Sequence, residues 1–418
     1  MDVPPSSPVP DPFDAVSDLQ VFGEFGEVNP SISDGSTFTF LSPERMEQMF
    51  QGGAEGCYLY ARQENPSGHA LGEALARLEG TEAAHVTSSG MAAIAATLLG
   101  LCRSGSVILA ERTVYGGTYA LLRNFLPRFG ITTRFLDLAD LAAVREAFRP
   151  EVALVYAESL TNPLLRTPPL GALAELAHAH RVPLVVDNTF TPLIMTPARE
   201  GADVVIHSLT KFINGMSDCV GGVICGSRAF LEKLTDVHEG PLMLLGPTMD
   251  SLRAAQIYKN LHTLPVRMRA HSANALVYAS RLEALGCRVT YPGLAGYADR
   301  EIFERQRHAR YGYGGLLTLD AGDLPSARTL VLRLQDAGVG WLAVSLGFHR
   351  TLFSPSGVST SSEIPPEERE AMGLGEGLVR ISVGLDHDIE RSWQRFHRCL
   401  EGLPLPRSEP RRETTVRP

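Results

Sequence analysis

The sequence predicts an α/β protein, with a mostly parallel sheet in a large unit and a smaller α+β unit after it. Three observations carry this. From about residue 70 to 260, short runs that are apolar at every position alternate with helical stretches, as strands buried on both faces require. After about residue 262 the texture changes to one long helical stretch followed by scattered strands. Polar residues also stand at the ends of several apolar runs, where open α/β sheets gather ligands.

The elements follow in order. Residues 1–16 are rich in Pro, Ser and Asp and are expected to be disordered, with an N-terminal arm over 17–65. A large domain is expected over 66–262. Its strands are read at Val107–Ala110, Val152–Tyr156, Val182–Val186, Asp203–Ile206 and Val220–Cys225, the last with glycines that permit close backbone approach. Helical stretches are read at Leu138–Phe148 and Leu170–His180. A C-terminal α+β domain is expected over 263–403, with a long helix near Val266–Leu285. Strands follow at Arg288–Tyr291, Gly315–Leu319 and Val379–Val383, and a last helix near Ile389–Leu400. A disordered tail is expected over 404–418.

Hydrophobic content of 44% and charged content of 20% describe an ordinary globular protein. The net charge of −9 is spread along the chain, which argues against nucleic acid as a partner. The six cysteines form no CxxC pair and no Cys/His cluster of zinc spacing, so free thiols in a reducing cytoplasm and no metal site are expected. No leader peptide is apparent, and no apolar run approaches the ~18 residues of a membrane span. GxGxxG and GxxxxGK are both absent.

Of 38 basic residues only three are lysines: Lys211, Lys233 and Lys259. Lys211 closes His207-Ser208-Leu209-Thr210-Lys211, directly after an apolar run, and Asp187 ends the apolar run before that one. A lysine can lose a proton and attack a carbonyl, which arginine cannot. A lysine and an aspartate at the ends of neighbouring strands suit pyridoxal phosphate, which needs an amine to hold it and an acid beside its ring nitrogen. Alternatively, Lys211 is a surface lysine and Asp187 a cap. Thr87-Ser88-Ser89-Gly90-Met91 opens an Ala-rich helix and offers an anion site, or simply an N-cap at Ser88 or Ser89. Ser208 and Thr210 add hydroxyls, and Glu158 ends another run. Tyr115 follows a strand and can stack on a ring or donate a proton, or else pack at the strand end. Arg380, among apolar residues in a strand, calls for an anion: a substrate carboxylate or an internal ion pair.

These residues occur together and in order. Over about residues 20–400 the chain resembles the Cys/Met-metabolism pyridoxal-phosphate enzymes, which include cystathionine γ-synthase, cystathionine γ-lyase, methionine γ-lyase and the O-acetylhomoserine sulfhydrylases. The matching motifs are Tyr60-Ala61-Arg62 with Asn65-Pro66, Leu78-Glu79-Gly80, Thr87 to Met91, Tyr115-Gly116-Gly117-Thr118, Glu158 with Asn162-Pro163, Val186 to Thr189, Ser208 to Lys211, Val344 to Gly347 and Arg380 to Gly384. The resemblance implies the aspartate-aminotransferase-like fold, fold type I, with a seven-stranded large-domain sheet. It implies that Lys211 holds the cofactor, that Asp187 pairs with the ring nitrogen and that Tyr115 stacks on the ring and serves in catalysis. Gly90, Met91, Ser208 and Thr210 would bind the phosphate. Tyr60 and Arg62 would reach the phosphate of a neighbouring subunit, so a homodimer is implied, usually paired into a tetramer. Asn162, Ser345 and Arg380 would hold the substrate.

Met243 to Met249, Val289 to Leu294, Tyr311 to Leu317 and Ser356 to Glu363 are similar to the plant-type methionine γ-lyase subgroup. The implied reaction is γ-elimination on a sulfur amino acid, foremost methionine, giving 2-oxobutanoate, ammonia and methanethiol. The alternatives are γ-replacement on an O-acyl homoserine, cystathionine cleavage, or a non-catalytic protein that keeps the fold. The chain departs from the family at three places. Gly117 stands where bacterial lyases carry cysteine, His262 replaces a lysine, and His349-Arg350 follow the substrate-binding serine.

Overall fold

The computed structural model describes residues 10–51, 57–356, 359 and 363–407. The large sheet has seven strands: β1 (Ala83–Thr87), β2 (Val107–Glu111), β3 (Thr132–Leu136), β4 (Val152–Glu158), β5 (Leu184–Asp187), β6 (Val204–Ser208) and β7 (Gly222–Gly226), in the order β1-β7-β6-β5-β4-β2-β3. Strands β3, β2, β4, β5 and β6 pair in parallel, and β7 runs antiparallel to both β6 and β1. This is the mostly parallel sheet the apolar runs predict. Successive residues point to opposite faces, and both faces are covered. Leu109, Val155, Val186 and Val205 enter one core, while Ile108, Leu154, Val185 and Ile206 enter the other.

The second sheet contains β8 (Val289–Thr290), β9 (Leu316–Asp320), β10 (Gly340–Leu342), β11 (Thr351–Pro355) and β12 (Leu378–Ser382), in the order β10-β11-β12-β9-β8. It buries a third core against the helices Leu264–Ala284, Leu324–Asp336 and Ile389–Leu400.

Four strands, β1, β3, β10 and β11, have no counterpart in the sequence reading. β3 is an edge strand whose Thr132 and Arg134 side chains face water, so it carries no continuous apolar signal. β1 begins with two alanines and owes its strand geometry to pairing with β7. The helix expected over Leu138–Phe148 spans Leu141–Ala147, because the Asp140 carboxylate accepts from the N–H groups of Ala142 (3.1 Å) and Ala143 (3.0 Å) and starts it there.

The N-terminal expectation needs correction. Residues 10–16 dock on the body of the chain: Val16 is buried, and Asp11 accepts from the Tyr311 hydroxyl and from Arg310, each at 2.6 Å. Residues 1–9 and 408–418, also expected to be tails, lie outside the described residues.

Two glycines bring the elements that shape the site into contact. A Cβ on Gly222 would stand 2.2 Å from Ser89 O, and one on Gly90 would stand 2.7 Å from Ser208 Cβ. Strand β7, the Ser89 turn and the end of β6 therefore meet backbone to backbone.

Candidate active site

The carboxyl ends of β4, β5 and β6 open into a cavity of about 220 Å³. Gly90, Met91, Tyr115, Asn162, Asp187, Ser208, Thr210, Lys211 and Arg380 all line it. Ser345 sits at its edge, where its hydroxyl accepts from Lys211 Nζ at 3.1 Å. In their own chain, Tyr60 and Arg62 do not line the cavity. Both side chains are exposed, with the Arg62 guanidinium 5.7 Å from the centre of the Tyr60 ring.

Lys211 follows β6 in a tight turn. Burial, and secondarily the charge of Arg380, lower its amine from the usual lysine value to about 8. About a tenth of it is therefore neutral and nucleophilic at pH 7, far more than for an ordinary lysine. Asp187 ends β5, and its Oδ1 accepts from Thr189 N at 2.9 Å. Burial raises its carboxyl, while the N–H and hydroxyl of Thr189 work the other way. Glu158, at the end of neighbouring β4, accepts from the backbone N–H groups of Tyr115 (2.7 Å) and Asn162 (2.9 Å). Burial, then repulsion from Asp187, push its carboxyl well above the usual range. The buried Glu158 and the half-buried Asp187 thus stand side by side, and a cation in the cavity would ease their repulsion.

Ser89 caps the helix Gly90–Leu101, with its hydroxyl accepting from Ala92 N at 3.0 Å. The capping reading of this turn is correct for Ser89, and the N–H groups of the helix's first turn still border the cavity. On the opposite wall, Arg380 is buried in β12. It donates to Asn162 Oδ1 at 3.0 Å and Ser345 O at 3.4 Å, and no carboxylate pairs with it among the described residues. Burial lowers it to about 10. The internal ion pair left open by the sequence is not found, and this guanidinium is free to take a carboxylate from the cavity.

Several wall residues were not singled out as site residues from the sequence. Thr189 supplies a hydroxyl to Ser208 N at 2.8 Å, and its place two residues after Asp187 was the available signal. Ile94, Leu160, Phe190, Val220, Val344 and Leu346 complete the lining, and apolar residues carry no sign of their own that they face a site. His349 and Arg350 are exposed and do not line the cavity, and Arg350 sits over the Trp341 ring at 5.0 Å. His262 packs edge-on against Tyr258.

Gly117 lies under the Tyr115 ring: a Cβ there would stand 2.6 Å from Tyr115 Cε1 and 3.3 Å from Met91 Sδ. Gly117→Ala is therefore expected to displace the Tyr115 ring and lower kcat by about 10-fold or more. Steady-state kinetics and a variant crystal structure check this, and an unmoved ring with normal kcat would contradict it.

Pyridoxal phosphate fits these residues. A half-buried acid that lines the cavity suits a protonated ring nitrogen, a helix start with two hydroxyls suits a phosphate, and an amine lines the same cavity. The family model for the Cys/Met metabolism PLP-dependent enzymes matches residues 16–391. The chain is 44% identical to methionine gamma-lyase of Arabidopsis thaliana, over 93% of this chain and 90% of that one. It is 36% identical to O-succinylhomoserine sulfhydrylase of Pseudomonas aeruginosa, over 87% and 88% respectively. Among solved structures, it is similar to cystathionine gamma-lyase from Lactobacillus plantarum complexed with L-serine, with a TM-score of 0.85, 28% identity, and coverage of 95% of this chain and 100% of that one. A putative O-acetylhomoserine (thiol)-lyase from Campylobacter jejuni matches with a TM-score of 0.83 and 26% identity over 90% and 97%, and that structure contains pyridoxyl-lysine monophosphate. With its fold type I architecture and with pyridoxal phosphate as its cofactor, this chain belongs to the PLP-dependent enzymes of Cys/Met metabolism.

Proposed function

We propose that the protein is a γ-lyase that cleaves L-methionine to 2-oxobutanoate, ammonia and methanethiol. One observation carries the choice of substrate. Apart from Lys211, Arg380, the two acids at the strand ends and the hydroxyl and amide groups of Ser89, Tyr115, Asn162, Thr189, Ser208 and Thr210, the side chains on the cavity wall are apolar: Met91, Ile94, Leu160, Phe190, Val220, Val344 and Leu346. Arg380 meets the substrate carboxylate, and an uncharged thioether then lies against apolar surface. A second charged amino-acid head, as in cystathionine, would have no dedicated partner there, since His349 and Arg350 point elsewhere.

When bound, pyridoxal phosphate supplies an electron sink that acidifies the substrate's Cα–H and Cβ–H bonds. The chain's own groups do the rest. Asp187 holds a proton on the ring nitrogen. Arg380, with Asn162 against its guanidinium, fixes the carboxylate and so aims the Cα–H bond. Lys211 Nζ, its amine lowered by burial, would take the Cα proton, hand that proton on to the cofactor's electron-rich carbon, and, neutral again, take a Cβ proton. Tyr115 gives its phenolic proton to the departing thiolate. Burial, then the charge of Glu363, raise this phenol, so it remains a proton donor.

Tyr60 and Arg62 are proposed to reach the phosphate of a second copy. Two observations support this. Among the described residues Arg380 is the only arginine that lines the cavity, and the arm leading to Tyr60 leaves Phe22, Phe25, Val28 and Leu41 exposed. The reaction is tested by assaying 2-oxo acid and thiol release from methionine, cystathionine, homocysteine and O-acetylhomoserine, the last with and without sulfide. Rapid methionine cleavage is expected. Sulfide-dependent consumption of O-acetylhomoserine without 2-oxo acid would instead establish γ-replacement, the activity named for the Pseudomonas relative's O-succinyl substrate class.

A further inference from the structure

Glu79, the last residue of the helix Pro66–Glu79, is buried with His207, and each side chain is 1% exposed. Its Oε1 accepts from Asn188 Nδ2 at 3.0 Å and lies 2.7 Å from His207 Nε2. Asn188 directly follows Asp187, and His207 directly precedes Ser208. The connections continue. The Thr191 hydroxyl donates to Asn188 Oδ1 at 2.7 Å and lies 2.7 Å from Ser159 Oγ, next to Glu158. A network centred on one carboxylate thus joins the ends of β4, β5 and β6, each of which presents a group to the cavity.

Neither Glu79, Asn188 nor His207 lines the cavity. A carboxyl group this far from water is costly to keep. Glu79 Oε2 and His207 Nδ1 also have no hydrogen-bond partner among the described residues, so the network is not arranged for the best local stability. Its common feature is location: both groups tied to Glu79 Oε1 are immediate chain neighbours of residues that would contact the cofactor.

We propose that Glu79 is a positioning residue, which holds Asp187 and Ser208 in the register that seats the cofactor's ring nitrogen and phosphate. The proposal rests on the cofactor assignment, and only its kinetic readout rests on methionine as substrate.

The test compares Glu79→Leu, Glu79→Gln and Asn188→Ala with the natural enzyme. Leu removes the tether, whereas Gln keeps an oxygen that accepts from both donors and removes only the charge. For Glu79→Leu, the Kd of pyridoxal phosphate in reconstitution is expected to rise about 10-fold or more, and kcat for methionine to fall by a similar factor with KM nearly unchanged. The pH midpoint of the bound cofactor's visible absorption should also move. Glu79→Gln should recover most of each change. Should Glu79→Leu fail to fold, Asn188→Ala cuts one arm and is expected to change the same readouts in the same direction. Variants with a lowered Tm but with natural Kd, absorption midpoint and kcat would overturn the proposal. If methionine proves not to be a substrate, the Kd and absorption measurements still decide the role of Glu79.

Discussion

Lys211→Ala is expected to slow methionine cleavage by at least about 10³-fold and to abolish the visible absorption of lysine-linked cofactor. Among the described residues the amine is the only one at the cavity, held 3.1 Å from the Ser345 hydroxyl. Lys211→Arg should fail as completely: it keeps a positive charge but cannot give up a proton. The same group sets the acid side of the pH profile. Its folded value is about 8, below the ordinary 10.5, because burial and then Arg380 disfavour the charged form. A base works only when deprotonated, so kcat should fall as pH drops through the amine's value in the substrate complex, and by about tenfold per unit well below it. Steady-state rates from pH 6 to 10 check this. A flat profile, or substantial turnover by Lys211→Ala, would remove Lys211 from the chemistry.

Arg380→Leu is expected to lower kcat/KM for methionine by about 30- to 1000-fold, or about 2–4 kcal/mol, since it removes a desolvated cation that faces a carboxylate. Leucine keeps much of the bulk in β12 and leaves Asn162 Oδ1 without its 3.0 Å donor. Two further outcomes identify the mechanism. Loss of the guanidinium removes a charge that disfavours protonated Lys211, so the acid limb of the profile should move to higher pH. The variant's deficit should also largely vanish with 3-(methylthio)propylamine, which lacks the carboxylate. An equal deficit with that amine would mean that Arg380 acts on the fold and not on the substrate.

The chain's order of runs made much of this legible in advance. A strand buried on both faces must be apolar at every residue, so β2, β4, β5 and β6 stood out, and with them the polar residues at their ends. Lys211, Asp187 and Glu158 were marked in this way before any fold was known. Arg380 was conspicuous because a charge within an apolar strand demands a partner. The edge strands β3 and β10 were hidden because one side of each meets water. The docking of residues 10–16 was hidden because its determinants, Arg310 and Tyr311, lie some three hundred positions away.

The sequence by itself therefore determined the layer architecture and the kind of cofactor, and it marked the residues proposed to react. These follow from local rules: periodicity, strand ends and the chemistry of an amine beside an acid. Only the tertiary structure decided which groups share the cavity, that Arg380 faces Asn162 instead of an internal carboxylate, that His349 and Arg350 stay outside, and that Gly117 leaves room for the Tyr115 ring. It alone joined Glu79 to the ends of two strands more than a hundred residues away. The reason is physical: burial, desolvation and hydrogen-bond geometry belong to groups brought together across the chain, and no local pattern encodes their distances.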